Sequence, residues 1–370
     1  MAALFRPYTP VQLTPDPRLT AKIERGERLS FDDGLNLFTC DPAALGRLAN
    51  LVCERKNGNV ATYVFNVYLN YSNVCYLSCQ FCSFARKPGQ EGAFTHGIDE
   101  LVRQASEAYA LGAREVHMVG GLHPKLPFGY YTDLLRAVKR ACPEIWIKAF
   151  TAIEIRHLAE HVARLPIGET LAALREAGLD ALTGGGAEIF AAEVRDRICR
   201  GKETAEEWLE VHRLWHRMGM RSTCTMLYGH VETPAHRIDH LERLRALQDE
   251  TGGFTSIVPY AFEPMNNELS HLRRVSPDEE LRMLALTRLY LDNFDHVTGY
   301  WISLTLPVAQ RALRYGVDDL HGTIFRERIF HMAGASTPEE QSVATLEAAI
   351  RAAGREPRRR NTVYELVPAV

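Results

Sequence analysis

Eight short runs rich in β-branched and aromatic residues recur along the chain, each followed by a longer segment with helical periodicity, and that order leaves few folds open. The runs are 62–70 (TYVFNVYLN), 114–120, 145–150, 179–185, 221–229, 254–262, 296–304 and, with the thinnest pattern, 319–324. Such alternation produces parallel strands joined by crossover helices. Eight units predict an α/β fold, a (β/α)8 TIM-type barrel. At 370 residues the chain exceeds the roughly 250 residues of a plain barrel, so extensions are expected. Residues 1–60 are assigned to a mainly helical N-terminal extension, 61–335 to the barrel and 336–370 to a C-terminal helix and tail. Three helix starts are marked by their caps: Ser30 with Asp33, Thr233 before Pro234, and Ser276 with Glu279 as a capping box.

Barrel enzymes build their sites from the loops that follow the C-terminal strand ends. Directly after the first run comes NVCYLSCQFCSFAR, in which Cys75, Cys79 and Cys82 are spaced C-x3-C-x2-C. That spacing suits a [4Fe–4S] cubane. A closed cluster takes four thiolates, and no fourth cysteine follows within several dozen residues, so one iron is left for a non-protein ligand. Zinc sites usually want two short-spaced ligand pairs. A disulfide framework needs a secretory context, and the start MAALFRPYTP has no apolar segment behind a basic one. The chain is therefore read as intracellular, in the cytoplasm, with reduced thiols. The remaining cysteines, Cys40, Cys53, Cys142, Cys199 and Cys224, stand singly in apolar or helical surroundings, where free cysteine behaves as a small hydrophobe.

A net charge of -3 argues against a general nucleic-acid binder, which would show a basic face. The arginines at 355 and 358–360 are read as a solvated tail. No apolar stretch approaches the roughly 20 residues of a membrane span.

The other strand-end loops supply further candidates. Gly120 and Gly121 after the second run let backbone approach a ligand without an intervening side chain. After the fourth, Gly184–Gly186 precede Glu188, a carboxylate that either hydrogen-bonds ribose hydroxyls or caps the next helix. After the fifth, Tyr228, Gly229, His230 and Glu232 stand at the mouth, where the Gly229 backbone is placed to contact an adenine. Lys148 lies in the apolar run IWIKAF, where an unpaired charge is costly; it either faces a carboxylate or snorkels from the strand end. His117, His123, Lys125 and Lys148 are the residues best placed for substrate, and His123, Lys125 and Lys148 are the cationic candidates for its acidic groups. The pairs His212/His216 and His236/His240 lie four apart, lack the H-E-x-x-H form and are read as solvated helix faces.

The cysteine triplet, with Phe81 just before its last member, resembles the signature of radical S-adenosylmethionine (SAM) enzymes. More narrowly, GERLSFDDGLNLF, NYSNVCYLSCQFCSFAR, VGGLHPKLPFGYY, KAFTAIEI, GGGAEIF and TMLYGHVETP resemble the aminofutalosine synthase family of menaquinone biosynthesis. The resemblance implies a cluster on Cys75, Cys79 and Cys82 whose open iron chelates the methionine moiety of SAM. It further implies SAM contacts from Phe81, Gly120, Gly121, Glu188, Tyr228 and Gly229, and Lys148 and His123 acting on substrate. The implied reaction adds the 5′-deoxyadenosyl radical to 3-[(1-carboxyvinyl)oxy]benzoate, with Tyr300 and Trp301 lining the arene pocket. An electron donor such as flavodoxin or ferredoxin is implied as a partner. The cyclic dehypoxanthinylfutalosine synthases and the deazaflavin synthases share the cysteine loop and stand as alternatives, and an iron–sulfur electron carrier is the alternative from another class.

Overall fold

The computed structural model describes residues 15–367. Within them the strands are β1 (Val60–Val64), β2 (Asn66–Leu69), β3 (Glu115–Met118), β4 (Trp146–Ala149), β5 (Ala181–Leu182), β6 (Arg221–Tyr228), β7 (Phe254–Ala261), β8 (His296–Val297), β9 (Asp319–Gly322) and β10 (Glu356–Arg359). Strands β2 to β8 form one parallel sheet in sequence order, and β10, β1 and β9 form a second. Backbone bonds join the two into a ring. On one side Gly299 N–H donates to the Asp319 carbonyl at 2.8 Å; on the other, Tyr68 N–H donates to the Phe325 carbonyl at 2.9 Å. The result is a parallel α/β barrel of eight staves, the first made of β1 and β2 in succession.

Each of the eight expected runs carries a strand, but 62–70 is not one strand. It breaks at Phe65, where the chain changes partners from β9 and β10 to β3. Strand interiors are buried on both faces, as in β6, where every residue after Arg221 is buried, because helices cover the outside of a parallel sheet and side chains fill the inside.

The caps behave largely as their residues dictate. Ser30 and Asp33 exchange two bonds at the start of helix Phe31–Leu37, and Thr233 caps helix Pro234–Thr251 with proline at its first position. Ser276 accepts from Glu279 N–H, yet the reciprocal bond is missing. The Glu279 carboxylate is held instead by Arg237 and Arg282, at 2.8 and 2.6 Å.

Two expectations are overturned. The C-terminal arginines are no solvated tail: Glu356–Arg359 is β10, paired to β1, and Arg360 is 2 % exposed inside the lower end of the barrel. Its guanidinium meets Asp319 at 2.6 Å, and Asp319 also accepts from the Thr62 hydroxyl at 2.7 Å. A buried acid on the last stave, Asp319, supplied the partner for Arg360 that a local reading of charge could not see. Likewise, His212, His216 and His240 are buried. Ser222 Oγ lies 2.8 Å from His212 Nδ1 and 2.7 Å from His216 Nε2, while His240 Nε2 lies 2.9 Å from the Thr225 carbonyl. They face the sheet, and only His236 of the four is partly exposed.

Candidate active site

A cavity of about 300 Å³ opens at the C-terminal ends of the strands, and Cys75, Cys79 and Cys82 all line it. The loop that carries them is fixed by backbone and side-chain bonds rather than by packing alone. Cys75 N–H donates to the Arg86 carbonyl and Cys82 N–H to the Cys79 carbonyl, at 2.9 and 3.0 Å. Lys87 Nζ donates to the carbonyls of Tyr76 and Leu77 at 2.8 and 2.7 Å, tying off a turn that has no repeating ladder.

Burial pushes the Cys79 and Cys82 thiols above their ordinary range; the Lys202 ammonium opposes it at Cys79, and the amides of Ala85 and Phe84 oppose it at Cys82. Unaided, such thiols stay protonated. Coordination to a metal deprotonates them outright. Among the described residues no three His, Cys, Asp or Glu side chains close on a single ion. That is compatible with a cubane, in which each thiolate binds a different iron. Three sulfur donors on one loop, facing one chamber, therefore fit a cluster with an open corner.

The glycine pair abuts this loop. A Cβ on Gly120 would lie 2.5 Å from the Tyr71 ring, and one on Gly121 would lie 2.4 Å from the Val74 carbonyl oxygen, so neither position has room for a side chain. Gly120 N–H donates at 3.0 Å to Glu154. This buried carboxylate also accepts from the Tyr71 hydroxyl at 2.6 Å and from Thr151 N–H and Oγ at 2.8 and 2.7 Å. Burial raises its pKa; its four donors pull the other way. Glu154 thus locks the cysteine-loop base to the glycine turn. Sequence reasoning missed it, although T-x-x-E at 151–154 is a capping-box signal, and the box forms.

Across the chamber Glu188 lines the cavity with φ +46°, a left-handed conformation uncommon for a non-glycine residue and worth noting at a site. It caps nothing, since the next helix begins at Ala192. Its Oε1 is 2.5 Å from Lys202 Nζ, and both side chains are nearly closed off. Lys202, which the sequence gave no reason to single out, lies 5.7 Å from the centre of the Phe81 ring. Phe81 lines the chamber as well.

Several expected residues lie elsewhere. Tyr228 is wholly buried with its hydroxyl unpartnered among the described residues, and Arg237 sits over its ring. In β6 side chains alternate: Thr223, Thr225 and Leu227 line the cavity, so Tyr228 points away. Gly229 N–H is taken by Glu232 at 2.5 Å, and neither Tyr228 nor Gly229 lines the chamber. His123 is half-buried outside it, its Nδ1 accepting from the amides of Lys125 and Leu126 at 3.1 Å, and Lys125 is exposed. Lys148 does face a carboxylate, but the protein's own: Nζ is 2.9 Å from Glu115, with both side chains sealed from solvent beneath the cavity. Burial opposes ionisation of Glu115, yet Lys148 and Arg360 outweigh it and hold the carboxyl down at about 2. Tyr300 lines the chamber, whereas Trp301 is buried behind it with Nε1 donating to the Gly322 carbonyl at 2.8 Å.

The Radical SAM superfamily profile matches residues 69–244, and the CofH/MqnC C-terminal region profile matches 251–370. The aminodeoxyfutalosine synthase of Thermus thermophilus is 49% identical over 95% of this chain and 96% of its own length. The chain belongs to the aminodeoxyfutalosine synthase family of radical SAM enzymes. The family's Streptomyces coelicolor member is 43% identical, covering 94% of this chain and 93% of its own. The fold likeness reaches further. The FeFe-hydrogenase maturase HydG from Carboxydothermus hydrogenoformans superposes with a TM-score of 0.74 at 17% identity, over 94% of this chain and 80% of that one. Membership of the superfamily brings a [4Fe–4S] cluster and SAM.

Proposed function

We propose that this enzyme transfers the 5′-deoxyadenosyl group of SAM to 3-[(1-carboxyvinyl)oxy]benzoate, with uptake of one water, releasing methionine and bicarbonate and giving 6-amino-6-deoxyfutalosine for menaquinone synthesis. The observation that carries the reading is the end-to-end likeness to two aminodeoxyfutalosine synthases. Cluster and SAM together supply a 5′-deoxyadenosyl radical. Cys75, Cys79 and Cys82 hold the cluster; Phe81, Gly120 and Gly121 border the SAM side of the chamber, and Glu188 is available to a ribose through the oxygen that Lys202 leaves free. The apolar wall, which includes Val258, Tyr260, Tyr300 and Phe330, excludes water that would intercept a radical and stacks against an arene. Lys148 is assigned a supporting place below the substrate, and His123 orders the loop after the glycine pair instead of touching reactants. A cytoplasmic setting with a low-potential one-electron donor such as flavodoxin or ferredoxin follows from this chemistry. Among the described residues no helix is long and apolar enough to cross a membrane.

Anaerobic turnover with SAM labelled in its adenosyl carbons tests the reading. Label in a product that carries the benzoate ring supports addition. Stoichiometric free 5′-deoxyadenosine would point instead to hydrogen abstraction, the second reading, which the CofH/MqnC match over the C-terminal region makes worth measuring.

A further inference from the structure

The floor of the chamber carries buried polar groups without partners among the described residues. His117 on β3 and His321 on β9 both line it, with Tyr68 and Tyr300 beside them. The Tyr68 ring stacks on His117 at 4.4 Å between centroids, and His321 sits edge-on to Tyr300 at 5.3 Å. Neither ring nitrogen of His117 has a hydrogen-bond partner among the described residues, and its Nδ1 is shut off from solvent. His321 Nδ1 is likewise buried and unpartnered, while its Nε2 has only a 3.4 Å contact with the Tyr68 hydroxyl. Orphaned buried polar groups are costly and call for an explanation. His321 is also held at φ +66°, a strained backbone that the Asp319 carboxylate fixes by accepting from His321 N–H at 2.8 Å.

Burial and the layer beneath set the protonation state of the two rings. Burial pushes the His117 imidazole down to about 3 and depresses His321 as well; Lys148 acts on both in the same direction and Arg360 adds to it at His321, while Glu115 opposes it at His117 and Asp319 at His321. Both imidazoles are therefore uncharged. Neutral imidazole still offers one N–H. Gly120 lies three positions after His117, past the end of β3 at Met118, so the floor lies below the glycine turn that abuts the cysteine loop.

We propose that His117 and His321 form the subsite for the aryl carboxylate of the substrate, each donating a ring N–H to it, with Tyr68 and Tyr300 against the arene. This rests on the function proposed above and adds the orientation: ring carboxylate down, enol ether toward the cluster.

Calorimetric titration of the reconstituted enzyme with 3-methoxybenzoate and with 3-methoxybenzamide tests the floor without turnover. The acid is expected to bind at least tenfold more tightly than the amide. His117→Gln and His321→Gln should each weaken the acid by about tenfold to a hundredfold and the amide by less than threefold, with SAM binding unchanged. Equal affinity of the wild-type enzyme for acid and amide would overturn the proposal, and this comparison needs no variant to fold. Failure of the wild-type enzyme to transfer adenosyl label would reject the function alone, because the acid–amide comparison still decides the floor.

Discussion

The two ends of this barrel solve opposite problems. The upper end must stay open, so its cysteine loop is held by lysine-to-carbonyl and amide-to-carbonyl bonds around a chamber, and its buried thiols wait for a metal to ionise them. The lower end must stay shut. There β10 and the residues after it fill the opening with a dry network in which Arg360 meets Asp319 at 2.6 Å, and Glu115 accepts from Lys148 at 2.9 Å and Thr362 at 2.7 Å. The contrast teaches where function and stability separate: changes above should alter chemistry at nearly constant stability, and changes below should do the reverse.

The largest effect is expected from Cys79→Ala. Iron content and turnover should fall to background, while the melting temperature of the cluster-free protein stays within a few degrees of its cluster-free parent; retained turnover would break the comparison at once. Next comes Arg360→Met, which leaves Asp319 buried without its cation. Removing one partner of a buried pair costs about 3–5 kcal/mol, read by urea unfolding, and the fraction that remains folded should keep the KM of the parent. A large rise in KM with unchanged stability would erase the distinction between the ends.

A smaller effect sharpens the upper end. His331 pairs with Glu327, a cavity-lining acid, at 2.6 Å, and that hydrogen bond raises its pKa to about 9 from about 6.5. A pKa raised by folding adds stability that is complete below about pH 6.5 and lost as pH climbs through 9. The melting temperature should therefore drop by about 1–3 °C between pH 7 and 9.5, and His331→Gln should flatten that segment of the profile. The smallest effect belongs to Tyr228→Phe. Its hydroxyl has no partner among the described residues and faces away from the chamber, so SAM affinity and turnover should stay within about twofold of the parent; a tenfold loss of SAM affinity would restore Tyr228 to the site.

What could be read from the sequence was whatever is local. The cysteine triplet, the glycine pair and the strand–helix alternation are contiguous patterns, and each has its place at the site or in the ring. What escaped depends on side chains that only the folded chain brings together. Lys202 reaches Glu188 only because the long β5–β6 connection folds back on itself around helix Ala192–Ile198; His321 meets His117 only because the ring closes. Tyr228 was misplaced by one step of strand alternation, which turns a side chain from the inside to the outside. The arginine run was misjudged for a related reason: a cluster of charge looks solvated until the buried acids that neutralise it are located on distant strands.

The central claim is that three sulfurs on the upper loop hold a cluster with one corner open to SAM. Electron paramagnetic resonance of the anaerobically reconstituted, reduced enzyme tests it most directly. The account predicts a reduced [4Fe–4S] signal that changes shape and g values when SAM is added and that is absent from Cys79→Ala. A signal indifferent to SAM, or one that survives the loss of Cys79, would contradict it.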